Sequence, residues 1–65
     1  MAELHLKAAR VNAGLTQKQV AEMLNISKNT VINYEKYRTT PDVETSKTLA
    51  ALYGLTVNDI IFFAE

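Results

Sequence analysis

The chain has 65 residues, 48% of them apolar, and its seven basic residues balance seven acidic ones. A chain of this length forms one small domain, residues 1–65, around a single core. With no cysteine and a single histidine, His5, it can build neither disulfides nor thiolate or histidine-rich metal sites. No apolar run approaches the roughly 20 residues of a membrane helix, and no signal peptide is recognised. We therefore expect a cytoplasmic protein with no membrane, metal or cofactor partner and no evident small-molecule ligand.

The zero net charge conceals an uneven distribution along the chain. Residues 16–38 carry a net charge of +2, from Lys18, Lys28, Lys36, Arg38, Glu22 and Glu35. Residues 39–65 carry −3, from Lys47, Asp42, Glu44, Asp59 and Glu65. A basic segment suits a polyanionic partner, although an asymmetry of this size is weak evidence alone.

The first predicted helix covers residues 3–13. Leu6, Ala9 and Ala13 recur there at helical spacing, and Gly14 supplies a residue that adopts the left-handed conformation with which helices often end. Arg10 falls on the same apolar side as these residues. His5 has no partner at catalytic or metal-binding spacing, and we expect it to be exposed.

The next two helix starts repeat one pattern, at residues 15–20 and again eleven residues later at 26–31. In each, an apolar residue precedes a hydroxyl N-cap, Thr16 or Ser27, and a second apolar residue follows inside the helix, which is a hydrophobic staple. Gln19 adds a capping box to the first. The spacing predicts a helix over 17–24, a three-residue turn, and a third helix that ends near residue 36.

Two helices joined by so short a turn must cross steeply, as in a helix-turn-helix, here spanning about residues 16–36. Ala21 is small enough for the second helix to lie close against the third. Asn25 occupies the turn where the backbone requires positive φ, a conformation that asparagine tolerates best after glycine. A stapled helix start by itself is common to many helical proteins, so the spacing carries the prediction of DNA binding.

Two further helices complete a compact all-α domain of five short helices. The fourth runs from an Asp42 cap over residues 43–53 to Gly54, and the pattern at 55–60 predicts a fifth near the C-terminus. Val57, Ile60, Ile61 and Ala64 would share one side of this last helix. Phe62 and Phe63 then remain on the other side, and exposed aromatic residues near a chain end predict a partner surface. The alternative is that both phenylalanines pack against the first and fourth helices.

Winding the third helix at about 100° per residue separates two faces. Val31 and Tyr34 point inward, flanked by Ser27 and Glu35. The opposite face carries Lys28, Asn29, Ile32, Asn33 and Lys36. Asparagine can bind adenine in the major groove, lysine suits guanine or phosphate, and an exposed isoleucine can cover a thymine methyl. We predict that Asn29 and Asn33 contact base edges. Lys28 would contact a base or a nearby phosphate, and Ile32 would make an apolar contact. The alternative is that the face is an ordinary solvated surface.

Three residues are further candidates for contact with the DNA backbone. Gln17 opens the second helix, where free amides favour a phosphate, and Lys18 and Lys36 are plausible phosphate partners. Arg10 and Glu35 would each be costly to bury alone, so we expect them to pair and to serve the fold rather than a site.

The pattern over 15–27, continued by Thr30-Val31 and Tyr34-Glu35, resembles the phage-repressor and Cro type of helix-turn-helix domain, the XRE family. Residues 41–45 and 52–60 follow the same family pattern, so the resemblance covers about residues 4–62. It implies a lambda-repressor-like fold of five helices, with the third helix in the major groove. It also implies a homodimer on operator DNA whose interface includes Phe62 and Phe63. It also implies base contacts from Lys28, Asn29 and Asn33, and a Gln17 that contacts the DNA backbone and braces the recognition helix.

Two positions depart from the family pattern. Asn25 replaces the usual glycine of the turn, and Lys36-Tyr37 stands where Asn-Gly is common. Tyrosine is poorly suited to positive φ, which predicts a different path for the loop after the third helix. That departure weakens the expectation that this loop, including Arg38, contacts phosphates.

The sequence therefore predicts a sequence-specific transcriptional regulator, a repressor that binds double-stranded DNA at a palindromic operator as a dimer. No nucleophile–base pair or glycine-rich phosphate loop is present, so an enzyme is not expected. The alternative is a protein-interaction module, such as an antitoxin-like subunit that sequesters a partner. The zero net charge and the Phe62-Phe63 end favour that alternative.

Overall fold

The computed structural model describes residues 3–63, and within them the chain forms four α-helices and one pair of short parallel strands. In chain order these are β1 (Leu4–His5), α1 (Leu6–Asn12), α2 (Gln17–Leu24), α3 (Lys28–Glu35), α4 (Val43–Leu52) and β2 (Ile60–Ile61). The helix-turn-helix predicted for residues 16–36 is formed by α2 and α3. None of the helices within residues 3–63 has the length and apolar character needed to cross a membrane.

Side-chain caps define where α2, α3 and α4 begin, as the sequence predicts. Thr16 Oγ1 accepts from the Gln19 amide at 3.1 Å while Gln19 Oε1 accepts from the Thr16 amide at 2.8 Å, which completes the capping box. Ser27 Oγ accepts from the Thr30 amide at 3.1 Å. Asp42 Oδ1 accepts from the Thr45 amide at 2.8 Å, and hydrogen bonds from Thr45 lower the pKa of this carboxyl.

The core lies where α1, α2, α3 and α4 meet. Leu6, Val20 and Leu49 are almost completely buried, and Ala21 at 4% exposure places α2 against α3 as its small side chain predicts. The other buried apolar residues are Ala9, Val31, Ala50, Tyr53, Ile60 and Phe62. Packing around these residues buries one face of α3 and leaves the opposite face on the surface.

The prediction of a fifth helix is wrong: residues 3–63 form a mostly helical fold, as expected, but with four α-helices and one short strand pair. The capped start at Thr56 produces only a 3₁₀ turn, Val57–Asp59, after which the backbone becomes extended at Ile60. Ile60 then pairs with Leu4, and Ile61 with His5. Isoleucine and phenylalanine favour extended backbone, and pairing with the N-terminal segment satisfies backbone groups that a lone final turn would leave open. The first helix correspondingly begins at Leu6 rather than at residue 3.

Extended backbone also corrects the prediction for the C-terminal aromatic residues. Side chains on a strand alternate between faces, so Phe62 is 7% exposed in the core whereas Phe63 is 64% exposed. The expectation that Phe62 lies on the surface of the chain is therefore wrong. Ala64, which was placed on the opposite side of the fifth helix, lies outside the described residues.

Candidate nucleic-acid interface

The orientation of α3 is set by its buried face. Val31 is 2% exposed in the core, and Tyr34 is half-buried against it. At about 100° per residue, the opposite face spans an arc of about 140°. The residues on that arc are Lys28, Ile32, Lys36, Asn29 and Asn33.

The structure brings the predicted base-contacting residues together on this outward face of α3. Lys28 and Asn29 in its first turn are exposed. Ile32 and Asn33, one turn further, are half-buried, so the isoleucine is less exposed than the helical periodicity predicts. The polar groups of an asparagine, a lysine and a second asparagine are thus presented along one side of the helix, which is the arrangement needed to reach base edges.

Gln17 lies at the N-terminus of α2 and is tied to α3. Its Nε2 donates to Glu35 Oε1 at 3.0 Å, and the residue is half-buried. An amide nitrogen has two hydrogens, so one remains free beside the open amides of the first turn. Lys18, the next residue, is exposed. This corner can therefore accept an anion while it holds α2 against the end of α3.

The predicted Arg10–Glu35 ion pair is present and supports the same corner. Arg10 Nε donates to Glu35 Oε2 at 2.6 Å, and Arg10 Nη2 donates to Oε1 at 3.3 Å. Arg10 Nη1 also donates to the Leu15 carbonyl at 2.8 Å. The two side chains are 10% and 4% exposed, so the pair connects α1, α3 and the start of the helix-turn-helix within the protein.

Tyr53 places a buried hydroxyl near the Arg10–Glu35 ion pair. Burial, followed by the negative charge of Glu35, raises the pKa of Tyr53 to about 12. Its hydroxyl is buried and makes no hydrogen bond to any of residues 3–63. The phenol therefore stays neutral and contributes packing rather than ionic chemistry.

The last predicted phosphate contacts, Lys36 and Arg38, follow the C-terminus of α3. Both side chains are exposed. The Arg38 amide donates to the Asn33 carbonyl at 2.9 Å, and the Tyr37 amide donates to the Tyr34 carbonyl at 3.1 Å. These bonds require Tyr37 to be left-handed, and its φ is +60°. The expectation of a different loop path was wrong, because this tyrosine adopts the conformation that glycine normally supplies.

The exposed charge around α3 is positive. Lys18, Lys28, Lys36 and Arg38 are all exposed, whereas the negative charge of Glu35 is neutralised by Arg10. Glu22 on α2 is the exposed acidic residue between residues 16 and 38. The zero net charge of the chain therefore does not describe this surface.

A second surface feature lies at the C-terminal end of the described chain and is apolar. Phe63, Val43 and Val57 are 64%, 70% and 39% exposed, and together they line a groove of about 320 Å³. The sequence predicted an exposed Phe63 but placed Val57 on the apolar side of the fifth helix. The signal available for Val43 was its position directly after the Asp42 cap, where the first helical turn faces solvent.

The fold and the outward face of α3 define a helix-turn-helix protein. A sequence model described as helix-turn-helix matches residues 6–60, and the chain belongs to this family. The match confirms the resemblance to the phage-repressor and Cro type of domain.

Three relatives of the chain are named as transcriptional regulators or repressors. It is 43% identical over 56 residues to the HTH-type transcriptional regulator ImmR of Bacillus subtilis, covering 86% of this chain and 44% of ImmR. It is 33% identical over 60 residues to RstR, the cryptic phage CTXphi transcriptional repressor of Vibrio cholerae, covering 92% and 54%. The uncharacterized HTH-type transcriptional regulator MJ0272 of Methanocaldococcus jannaschii is 30% identical over 60 residues, covering 92% and 91%. The chain thus spans about half of ImmR and RstR.

Proposed function

We propose that this chain is a sequence-specific DNA-binding regulator of transcription that acts as a repressor. The observation that carries the proposal is the outward face of α3, where Asn29 and Asn33 lie opposite the buried Val31 and Lys28 lies at the edge. A helix held by one face in this way can enter the major groove with its other face. The names of ImmR and RstR, a regulator and a repressor, support the same function.

Base recognition is assigned to the first two turns of α3. Asn29 and Asn33 can each donate to and accept from adenine, and Lys28 can donate to guanine or to a phosphate. Ile32, half-buried between them, can contact a thymine methyl with the part of its side chain that is exposed. These four residues would determine which operator is bound.

Backbone contacts are assigned to both ends of the helix-turn-helix. Gln17 and Lys18 lie at the start of α2, and Lys36 and Arg38 lie at the end of α3. Contacts of this kind set the register of the protein on DNA without distinguishing sequences. Because Gln17 also bonds to Glu35, a phosphate at α2 would be held in a defined position relative to α3.

The chain is proposed to bind a palindromic operator as a homodimer. Phe63 with Val43 and Val57 forms an exposed apolar surface, and two copies related by a two-fold axis could bury it against each other. Such a dimer presents two recognition helices about one DNA turn apart. Phe62 contributes indirectly, because its burial in the core directs Phe63 outward.

The function is tested by fluorescence anisotropy of the purified chain with duplexes selected from a random pool. We expect one enriched palindromic sequence, and an affinity for mixed duplex that falls steeply with salt because counterions are released on binding. Lys28→Ala provides the matched control, since it should reduce both affinity and salt dependence. A chain that enriches no sequence and binds mixed duplex no better than a neutral protein at low salt would contradict the proposal.

A protein-interaction module is the second candidate, and the exposed Val43, Val57 and Phe63 groove favours it. The same experiment separates the two functions. A module that only sequesters a partner should show no salt-dependent DNA binding, whereas a regulator should show it whether or not the groove is occupied.

A further inference from the structure

All four α-helices within residues 3–63 end in the same way, with one left-handed residue. These residues are Gly14, Asn25, Tyr37 and Gly54, with φ of +76°, +57°, +60° and +74°. In each case the following amide donates to a carbonyl five residues earlier: Leu15 to Arg10, Ile26 to Ala21, Arg38 to Asn33 and Leu55 to Ala50. Glycine and asparagine suit this Schellman arrangement, whereas a tyrosine there is an outlier.

The side chain of Tyr37 shows what holds the residue in this conformation. Its hydroxyl lies 2.5 Å from His5 Nδ1 on β1 and 3.3 Å from the carbonyl oxygen of Ile61 on β2. The two rings are also close, with centroids 5.8 Å apart and planes tilted by 60°. One phenol therefore connects the end of α3 to both strands of the β1–β2 ladder. Neither glycine nor asparagine could make that connection from this position.

The available donor hydrogens and acceptor atoms determine the direction of the two hydrogen bonds made by the Tyr37 hydroxyl. The Tyr37 hydroxyl has one hydrogen, and the Ile61 carbonyl can only accept. Both contacts are hydrogen bonds at the same time only when His5 Nδ1 carries a proton and donates to the phenol oxygen, while the phenol donates to Ile61. The two hydrogen bonds thus run in one direction, from His5 through Tyr37 to the Ile61 carbonyl on β2. We call this pair of hydrogen bonds the relay.

We propose that Tyr37 is a positioning residue for DNA binding, and this inference rests on the function proposed above. Lys36 and Arg38, the two basic residues at the end of α3, flank it directly. By anchoring the intervening backbone to the strand ladder, the Tyr37 hydroxyl holds both basic side chains at a defined place beside the recognition helix. The left-handed strain at Tyr37 is retained because a glycine would cap α3 equally well but would leave this segment unanchored.

The test compares Tyr37→Phe with Tyr37→Gly in DNA binding. Tyr37→Phe keeps the ring and the backbone strain but loses the relay, whereas Tyr37→Gly relieves the strain and also loses the relay. We expect both to lower affinity about tenfold on every duplex, the loss of one charge-assisted phosphate contact, with unchanged base preference and a shallower salt slope. Asn25→Gly is the matched control, because it relaxes a left-handed residue that anchors nothing, and its affinity should equal that of wild type.

DNA binding by variants that remain folded distinguishes a positioning role of Tyr37 from a purely structural role. Circular dichroism at the assay temperature establishes that each variant is folded. If Tyr37 served the fold alone, variants that remain folded would bind DNA as wild type does, and that result would overturn the proposal. Tyr37→Phe removes a single oxygen atom, so it provides the comparison if Tyr37→Gly fails to fold.

The relay can also be observed without DNA, from the ¹⁵N NMR shifts of the His5 imidazole. We expect Nδ1 to carry the proton in wild type and the shifts to change in Tyr37→Phe. Identical shifts in the two proteins would remove the relay and with it the proposal. A wild-type chain that shows the relay but binds no duplex would instead contradict the proposed function, and the positioning role would fall with it.

Discussion

The Arg10 guanidinium and the Glu35 carboxylate form an ion pair of 2.6 Å, with both side chains at most 10% exposed. This pair joins α1 to the last turn of α3, and the same carboxylate accepts from Gln17 at the start of α2. The helices α1 and α2 are therefore joined to the recognition helix α3 through one buried carboxylate. We therefore expect removal of this carboxylate to lower the stability of the fold, and to affect DNA binding only as a consequence.

Arg10→Met is expected to destabilise the chain by about 3–5 kcal/mol, because it leaves Glu35 buried without its cation. Urea denaturation monitored by circular dichroism measures the loss. The double variant Arg10→Met/Glu35→Leu is the control, and it should recover most of the stability since no buried charge remains. A single variant as stable as wild type would show that the pair contributes nothing.

Asn29→Ala and Asn33→Ala should each cost about 1–3 kcal/mol of binding free energy on the selected operator, confined to particular base pairs. The reason is that each asparagine amide is predicted to bind one base edge. Competition against operators changed one position at a time measures this effect. Lys18→Ala is the comparison, since a lost phosphate contact should weaken all duplexes about equally. Uniform weakening by the asparagine variants would contradict base recognition.

Phe63→Ser should abolish dimerisation while leaving the fold intact, because Phe63 is exposed in the single chain. Sedimentation velocity over a range of concentrations measures the oligomeric state. Phe62→Ser is the contrasting variant, and it should destabilise the fold by about 3–5 kcal/mol because it empties a core position. A wild-type chain that remains monomeric at every concentration would remove the dimer from the proposed function.

Tyr53→Phe should raise stability at neutral pH by about 1–3 kcal/mol, because it deletes a buried hydroxyl that bonds to no residue among 3–63. Denaturant unfolding of the two proteins measures the difference. Tyr34→Phe, at a half-buried position of α3, provides the control for removing a phenol oxygen. A destabilised Tyr53→Phe protein would show that the hydroxyl has a stabilising partner.

The stability difference between Tyr53→Phe and wild type is also expected to depend on pH. The pKa of Tyr53 is raised to about 12 in the folded chain from the ordinary tyrosine value of 10.0, so the fold favours the neutral phenol. The stability that depends on this preference is fully present below pH 10 and is lost as the pH rises towards 12. The advantage of Tyr53→Phe over wild type should therefore widen across that range. A constant difference would contradict the raised pKa.

Much of the helix-turn-helix could be predicted because its determinants are local. The caps at Thr16, Ser27 and Asp42 each bind an amide three residues ahead, so neighbouring residues suffice to place a helix start. The inward direction of Val31 likewise follows from helical periodicity within one element. The pairing of Arg10 with Glu35 was predicted from two elements, since a charge on an apolar face needs a partner.

The structure of the C-terminal segment could not be predicted from neighbouring residues alone. Thr56 begins a capped turn as predicted, but the residues after it pair with Leu4 and His5, more than fifty positions earlier. No local pattern reveals such a pairing, and the choice between a final helix and a strand depended on it. The run of β-branched and aromatic residues from Ile60 onward was the available signal.

The amino-acid sequence by itself determined the helix starts, the turn between α2 and α3, and the residues on the outward face of α3, because these depend on contacts within about four positions. Only the tertiary structure decided that the chain after Asp59 is extended, that Phe62 is buried while Phe63 is exposed, and that Tyr37 is left-handed. Each of these outcomes depends on the ladder between residues distant in the chain, whose pairing supplies hydrogen bonds that no local segment could provide.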